Sequence, residues 1–155
     1  MRTEVLEGGM ISCTEFIWAY NELFKFLHGR HGKEAVQELW KGISEEFLGN
    51  LDELVREKGI DGMREYWTHT LTEEGADYVM TVKEDAFYID MHRCPSVALI
   101  SEGPSSKYPH YCEHCAWLYP PLLEKSGFEA HMHIIDPERG ECRLSVYRRC
   151  PRAGS

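Results

Sequence analysis

The spacing of apolar residues changes once along this chain, at Ala76, and that change limits the folds open to it. Before Ala76 apolar side chains recur every three or four residues; after it they alternate. The first spacing lines one face of a helix, the second one face of a strand. Helices followed by paired strands, rather than interleaved with them, make an α+β arrangement.

In the first part, Ser12 and Glu15 have the form of a capping box, each side chain satisfying a backbone N–H at a helix start. Phe16, Tyr20, Leu23, Phe24 and Leu27 follow as one stripe, and His28-Gly29-Arg30-His31-Gly32 is expected to stop that helix. A second carries Val36, Leu39, Trp40, Ile43 and Phe47 on one face and closes at Gly49. Asn50 is expected to cap a third that ends at Gly59. Asp61 is expected to cap a fourth bearing Met63, Tyr66, Trp67 and Leu71, with Gly75 as its stop.

Beyond Ala76, Tyr78, Met80 and Val82 form the apolar side of a strand. Glu84-Asp85 turn the chain, and Phe87, Ile89 and Met91 lead back, making a hairpin. Pro95 disfavours a continued central strand, because it donates no ladder hydrogen bond. Val97-Ala98-Leu99-Ile100 fits strand or helix, and Ser101 to Pro109 is a loop. The cysteine segment that follows is expected to open a helix reaching Lys125, kinked at Pro120-Pro121. Phe128 to Ile135 and Cys142 to Tyr147 read as a second hairpin. The expected whole is one α+β domain over residues 11–149: a helical N-terminal half packed on a small antiparallel sheet of two β-hairpins with an intervening helix. A flexible segment, 1–10, precedes it and a tail, 150–155, follows.

Among 155 residues there are 17 basic and 26 acidic, a formal charge of −9, and no basic stripe, which argues against nucleic acid as a partner. Arg143, Arg148, Arg149 and Arg152 read as a solvated strand edge and tail. No segment approaches the roughly 18 apolar residues of a membrane helix, and the N-terminus lacks the apolar run of a signal peptide. A cytoplasmic location is the resulting default, and there six cysteines are expected as free thiols, ligands or catalysts. The supply of aromatics makes a homodimer plausible.

Chemistry concentrates in His110-Tyr111-Cys112-Glu113-His114-Cys115. Thiolate and imidazole bind zinc or iron and attack carbon, and a helix start favours thiolate over thiol. Cys94 stands at the end of the first hairpin. If the strands neighbour one another, Cys94, Cys112, Cys115 and His133 would converge at one end of the sheet as a metal site. Zinc is the expected ion and iron the second choice. Cys142 and Cys13 read most simply as packing residues, Cys150 as part of the tail, and His28, His31 and His131 as surface groups. Trp67, Tyr108 and Tyr111 are candidate walls of a small-molecule pocket, with Glu102 and Glu113 its nearest acid–base groups. There is no Ser-His-Asp set, phosphate-cradling loop or dinucleotide fingerprint, so no nucleotide cofactor is expected.

Taken together, Gly59 to Trp67, Leu71 to Tyr78, Phe87, the Arg93-Cys94-Pro95 step, Cys112 with Cys115, and Gly140 to Leu144 resemble the L-2-amino-thiazoline-4-carboxylic acid hydrolase-like family. The likeness covers roughly residues 59 to 149. It implies a small cytosolic α+β domain that binds a small organic ligand, the named member hydrolysing a cyclic thiazoline carboxylate. The leading expectation is a small-molecule hydrolase acting on a cyclic or amide-type C–N bond. Cys112 or Cys94 would be nucleophile or ligand, His114, His110 or His133 proton carrier, and Glu113 or Glu102 acid–base partner. The rival is a ligand-binding or sensor domain with a structural Cys/His zinc. A third reading is a redox pair of Cys112 and Cys115.

Overall fold

The computed structural model describes residues 11–150, with side chains from Glu15 onward. The Ser12 cap, Cys13, the segment 1–10 and residues 151–155 lie outside that description. Among the described residues the order is four helices, a hairpin, two helices and a second hairpin: α1 Ile11–His31, α2 Lys33–Glu46, α3 Gly49–Lys58, α4 Ile60–Glu73, β1 Asp77–Val82, β2 Ala86–Arg93, α5 Pro95–Glu102, a 3-10 turn Tyr111–Glu113, α6 His114–Lys125, β3 Phe128–Asp136 and β4 Glu141–Arg148. The fold is α+β, as the switch of spacing requires.

Helix α1 does end within His28–Gly32, at His31, where Gly32 takes a positive φ of 85°. Several other boundaries differ from the sequence reading. Asn50 and Asp61 cap nothing; Leu48 and Gly59 occupy the cap positions. Phe47 is left exposed just past α2. The Val97–Ile100 run is helical, because Pro95 sits at the first turn of α5, where its missing N–H costs nothing. Pro120 and Pro121 lie inside α6 without ending it.

The two hairpins join edge to edge in the order β1-β2-β4-β3, antiparallel throughout. The side chains of Phe87, Ile89, Met91, Leu144, Val146, Phe128 and Ala130 are buried on one face. Helix α6 lies between that face and α2, α4 packs on β2, and α1 packs on α2 and α5.

This layering makes two cores rather than one. The sheet-side core gathers Leu51, Val55, Met63, Trp67, Phe87, Leu122, Leu123 and Val146. The helix-side core is aromatic, with Phe24, Trp40, Tyr108 and Tyr111 around Val36, Val97 and Ile100. Cys94 touches both. Burying one such side chain contributes roughly 2 kcal/mol, so each core is a sizeable fraction of net stability. Polar contacts pin the loop before the cysteine segment to α1. Buried Asn21 donates to the Ser106 carbonyl at 3.0 Å and accepts from the Tyr108 N–H at 2.7 Å. Ser44 ties α2 to α6 through the Leu118 carbonyl at 2.7 Å.

No helix among the described residues is long and apolar enough to cross a membrane.

Candidate functional site

The hexapeptide is divided by its own backbone. A 3-10 turn covers Tyr111–Glu113 and α6 begins at His114, so successive side chains are sent to different places. His110 and Glu113 go outward. Glu113 accepts from Lys33 at 2.8 Å and from His110 Nδ1 at 2.5 Å, and Lys33 also reaches that nitrogen at 3.3 Å. Burial alone would raise the Glu113 carboxyl, but the Lys33 and His110 hydrogen bonds and charges outweigh it and hold the group below its usual value.

Cys112, His114 and Cys115 go inward, into the seam between the two cores. They meet Cys94, at the N-cap of α5, and Cys142, on β4 between Met91 and Ile134. The thiols are close enough to act on one another: Cys115 raises the pKa of Cys94, Cys112 and Cys142, and Cys94 and Cys112 also raise that of Cys142. The β3–β4 turn closes one side. Cys112 Sγ donates to the Pro137 carbonyl at 3.5 Å, and a Cβ on Gly140 would stand 2.4 Å from the Cβ of Cys94. Gly140, with φ of 67°, is therefore required twice over, for its backbone and for its absent side chain.

His114, Cys115 and Tyr119 are half-buried, and loss of hydration dominates the protonation of each. Tyr20, Tyr66 and the Tyr111 hydroxyl also border the thiols or Tyr119, and Glu74 reaches them from the end of α4.

Burial sets the protonation of this cluster. Burial first, then neighbouring acids, pushes Cys94 up to about 11 and Cys112 and Cys115 up to about 12, and raises Cys142 further. The amides of Ser96 and Val97 at the start of α5 pull Cys94 the other way without reversing it. The sequence expectation that a helix start would favour thiolate is thus overridden by desolvation. Burial also raises Tyr20, to about 12, and Glu74, the latter with help from Glu73.

Burial lowers the pKa of His114 and keeps the ring neutral. Its Nδ1 faces the Tyr111 carbonyl, which can only accept, so the ring proton sits there. Nε2 is left with a bare lone pair, 3.5 Å from Cys115 Sγ, and the thiol donates to it.

No family model, curated protein or solved structure matches this chain. The assignment of roles therefore rests on geometry.

Of the expected metal set, Cys94, Cys112 and Cys115 come together and His133 does not. Met132 and Ile134 point inward on β3, so His133, opposite Arg143, is exposed on the outer face with His131. Cys142 shares its parity with Leu144 and Val146 and occupies the place expected of His133. Among the described residues no three His, Cys, Asp or Glu side chains stand in an arrangement that would hold a metal ion. Glu113 is turned away from the thiols, and Glu102 is exposed, 3.7 Å from Arg93. Trp67 and Tyr108 are core residues rather than pocket walls. Trp67 is stacked on Phe87, and the Tyr108 hydroxyl lies 2.9 Å from His28 Nδ1. Sequence reasoning does not single out Cys142 as a site residue, nor Glu74, Tyr20 and Tyr119.

Proposed function

We propose that the chain is a small-molecule hydrolase-like enzyme whose nucleophile is Cys115 and whose base is His114, acting on a small cyclic or amide-type C–N bond. The observation that carries this reading is the pairing of a neutral imidazole with a thiol, His114 Nε2 lying 3.5 Å from Cys115 Sγ where neither is well hydrated. With its pKa near 12, Cys115 is inert until a base takes its proton at the moment of attack. In the step that follows, sulfur bonds to the substrate carbon and the thiol proton passes to Nε2. That proton then goes to the departing nitrogen, and water cleaves the carbon–sulfur adduct and restores the thiol. Cys112, expected as nucleophile, donates to a carbonyl and has no base beside it. The resemblance to thiazoline hydrolases supports the same class of bond.

Against a panel of cyclic amidines and amides, Cys115→Ser and His114→Gln are expected to lose about 100-fold or more in turnover, with a mass-detectable acyl or imidoyl adduct in the wild type alone. Because His114 is held neutral, the rate stays level through pH 6.5 and falls only below it. Undiminished turnover in Cys115→Ser ends the proposal.

A second reading is a ligand-binding or sensor domain in which Cys94, Cys112, Cys115 and Cys142 draw together round a structural zinc, a rearrangement of the thiols from the positions described above. Stoichiometric zinc in purified protein, lost in Cys112→Ser and in Cys142→Ser, would select it. Chelation would then lower thermal stability.

A further inference from the structure

The strand order β1-β2-β4-β3 leaves the sheet two edges, β1 and β3. Among the described residues β1 is hydrogen-bonded to β2 alone. Natural edges are usually blunted by charge, proline or a bulge, because their unpaired N–H and C=O groups recruit other strands. From Tyr78 to Val82 this edge has neither charge nor proline, and the irregularity of its ladder falls before Tyr78. Val79 and Val82 are exposed.

The backbone fixes which groups the edge offers. The Lys83 N–H donates to the Ala86 carbonyl at 2.8 Å, toward β2. These directions alternate along a strand, so Thr81 and Val79 also turn toward β2. Tyr78, Met80 and Val82 present their N–H and C=O groups at the open side.

Charge selects the occupant. Asp77 and Lys83 stand at the two ends of the strand with opposite signs, and Met80 is midway between them. Both reach groups on the outer face of the sheet. Asp77 lies 3.4 Å from His92, and Lys83 lies over the Tyr88 ring, 5.5 Å from its centroid. An antiparallel copy of β1, related by a two-fold axis at Met80, sets Asp77 opposite Lys83 of the copy at both ends. On the inner face Tyr78 then meets Val82 and Met80 meets Met80, which extends rows that already pack on the sheet-side core. These are the residues whose backbone groups point outward. Moving the axis to Thr81 would instead set Asp77 against Asp85, and moving it to Val79 would set Lys83 against Gly75. The β3 edge has no comparable register, since an axis at Met132 sets His131 against His133 and Glu129 against Ile135.

We infer that the chain pairs with a second copy of itself, β1 to β1, antiparallel about Met80, so that two four-stranded sheets run on as one. A join confined to one short strand buries less than a standard interface, so the dimer is concentration-dependent.

The test is sedimentation of the full chain in reducing buffer at neutral pH and low salt, with residue-resolved amide exchange by NMR. A species of twice the chain mass that dissociates on dilution is expected. The amides of Tyr78, Met80 and Val82 should exchange more slowly as protein concentration rises, a readout that needs no variant to fold. Asp77→Lys and Lys83→Asp each place like charges at both ends and should weaken the dimer about tenfold. Combining the two substitutions should restore it. Neither readout depends on the thiol chemistry proposed above. A monomer up to millimolar concentration, a dimer whose β1 amides exchange at a concentration-independent rate, open-ended growth through β1 and β3, or single substitutions that leave the dimer unchanged overturns the assignment.

Discussion

One hexapeptide supplies two polar clusters that behave in opposite ways. At the surface, Glu113 sits against Lys33 and His110 and is held ionised. Two residues further on, Cys115 has no cation to answer it and is held protonated by burial. The residue types differ less than the surroundings do. The contrast teaches that exposure and partners, rather than the motif, decide which side chains carry charge and which wait for a proton acceptor.

The largest expected difference between the clusters is in thiol reactivity. At pH 7.5, exposed Cys150 should react with iodoacetamide about 100-fold faster or more than Cys94, Cys112 or Cys115, as read by peptide mass spectrometry. Comparable rates would show that the inner thiols are not shielded. Next, Gly140→Val forces a side chain into Cys94 and Val97 at a positive φ. It should cost about 3 kcal/mol in denaturant unfolding, while leaving the outer cluster intact.

The two carboxyls offer the finest comparison. Glu113 has a lowered folded pKa, so its stabilisation is complete above the unfolded value near 4.5 and is lost as pH falls through the folded one. Glu113→Gln should therefore destabilise at pH 7, by about 0.5–1 kcal/mol for a partly exposed pair. Glu74 has a raised pKa, so its contribution is present below about pH 4.5 and lost as pH rises through the folded value. Glu74→Gln should therefore stabilise slightly at pH 7. Two variants shifting the melting temperature in the same direction would dissolve the contrast.

Much of the fold is legible in the order of residues alone. Alternation after Ala76 marks both hairpins, and apolar stripes mark four helices, because each pattern follows from one local period. Helix ends are less so. Asn50 and Asp61 cap nothing, since tertiary packing outweighs such weak local preferences. The joining of β2 to β4 is a long-range choice with no local signature.

In the site, three cysteines are readable from the sequence and His133 is not the fourth group it suggests, though alternation holds the answer. Phe128, Ala130, Met132 and Ile134 claim the inner face of β3, which leaves His133 outside, while Cys142 shares parity with Leu144 and Val146. The outward turn of Glu113 and inward turn of His114 are not readable, because they depend on where a 3-10 turn gives way to an α-helix. Glu74 and Tyr119 give no signal beyond their residue type.

The alternation of β4 also governs which sequence changes this protein can absorb. Point replacements on the outer face leave the inner row in place. Inserting a single residue between Cys142 and Val146 would invert the strand on one side of the insertion. It would turn either the sulfur at its start to solvent or Val146 out of the core. Relatives of this chain should therefore vary in length at the tip of the second hairpin and hardly at all along its arms.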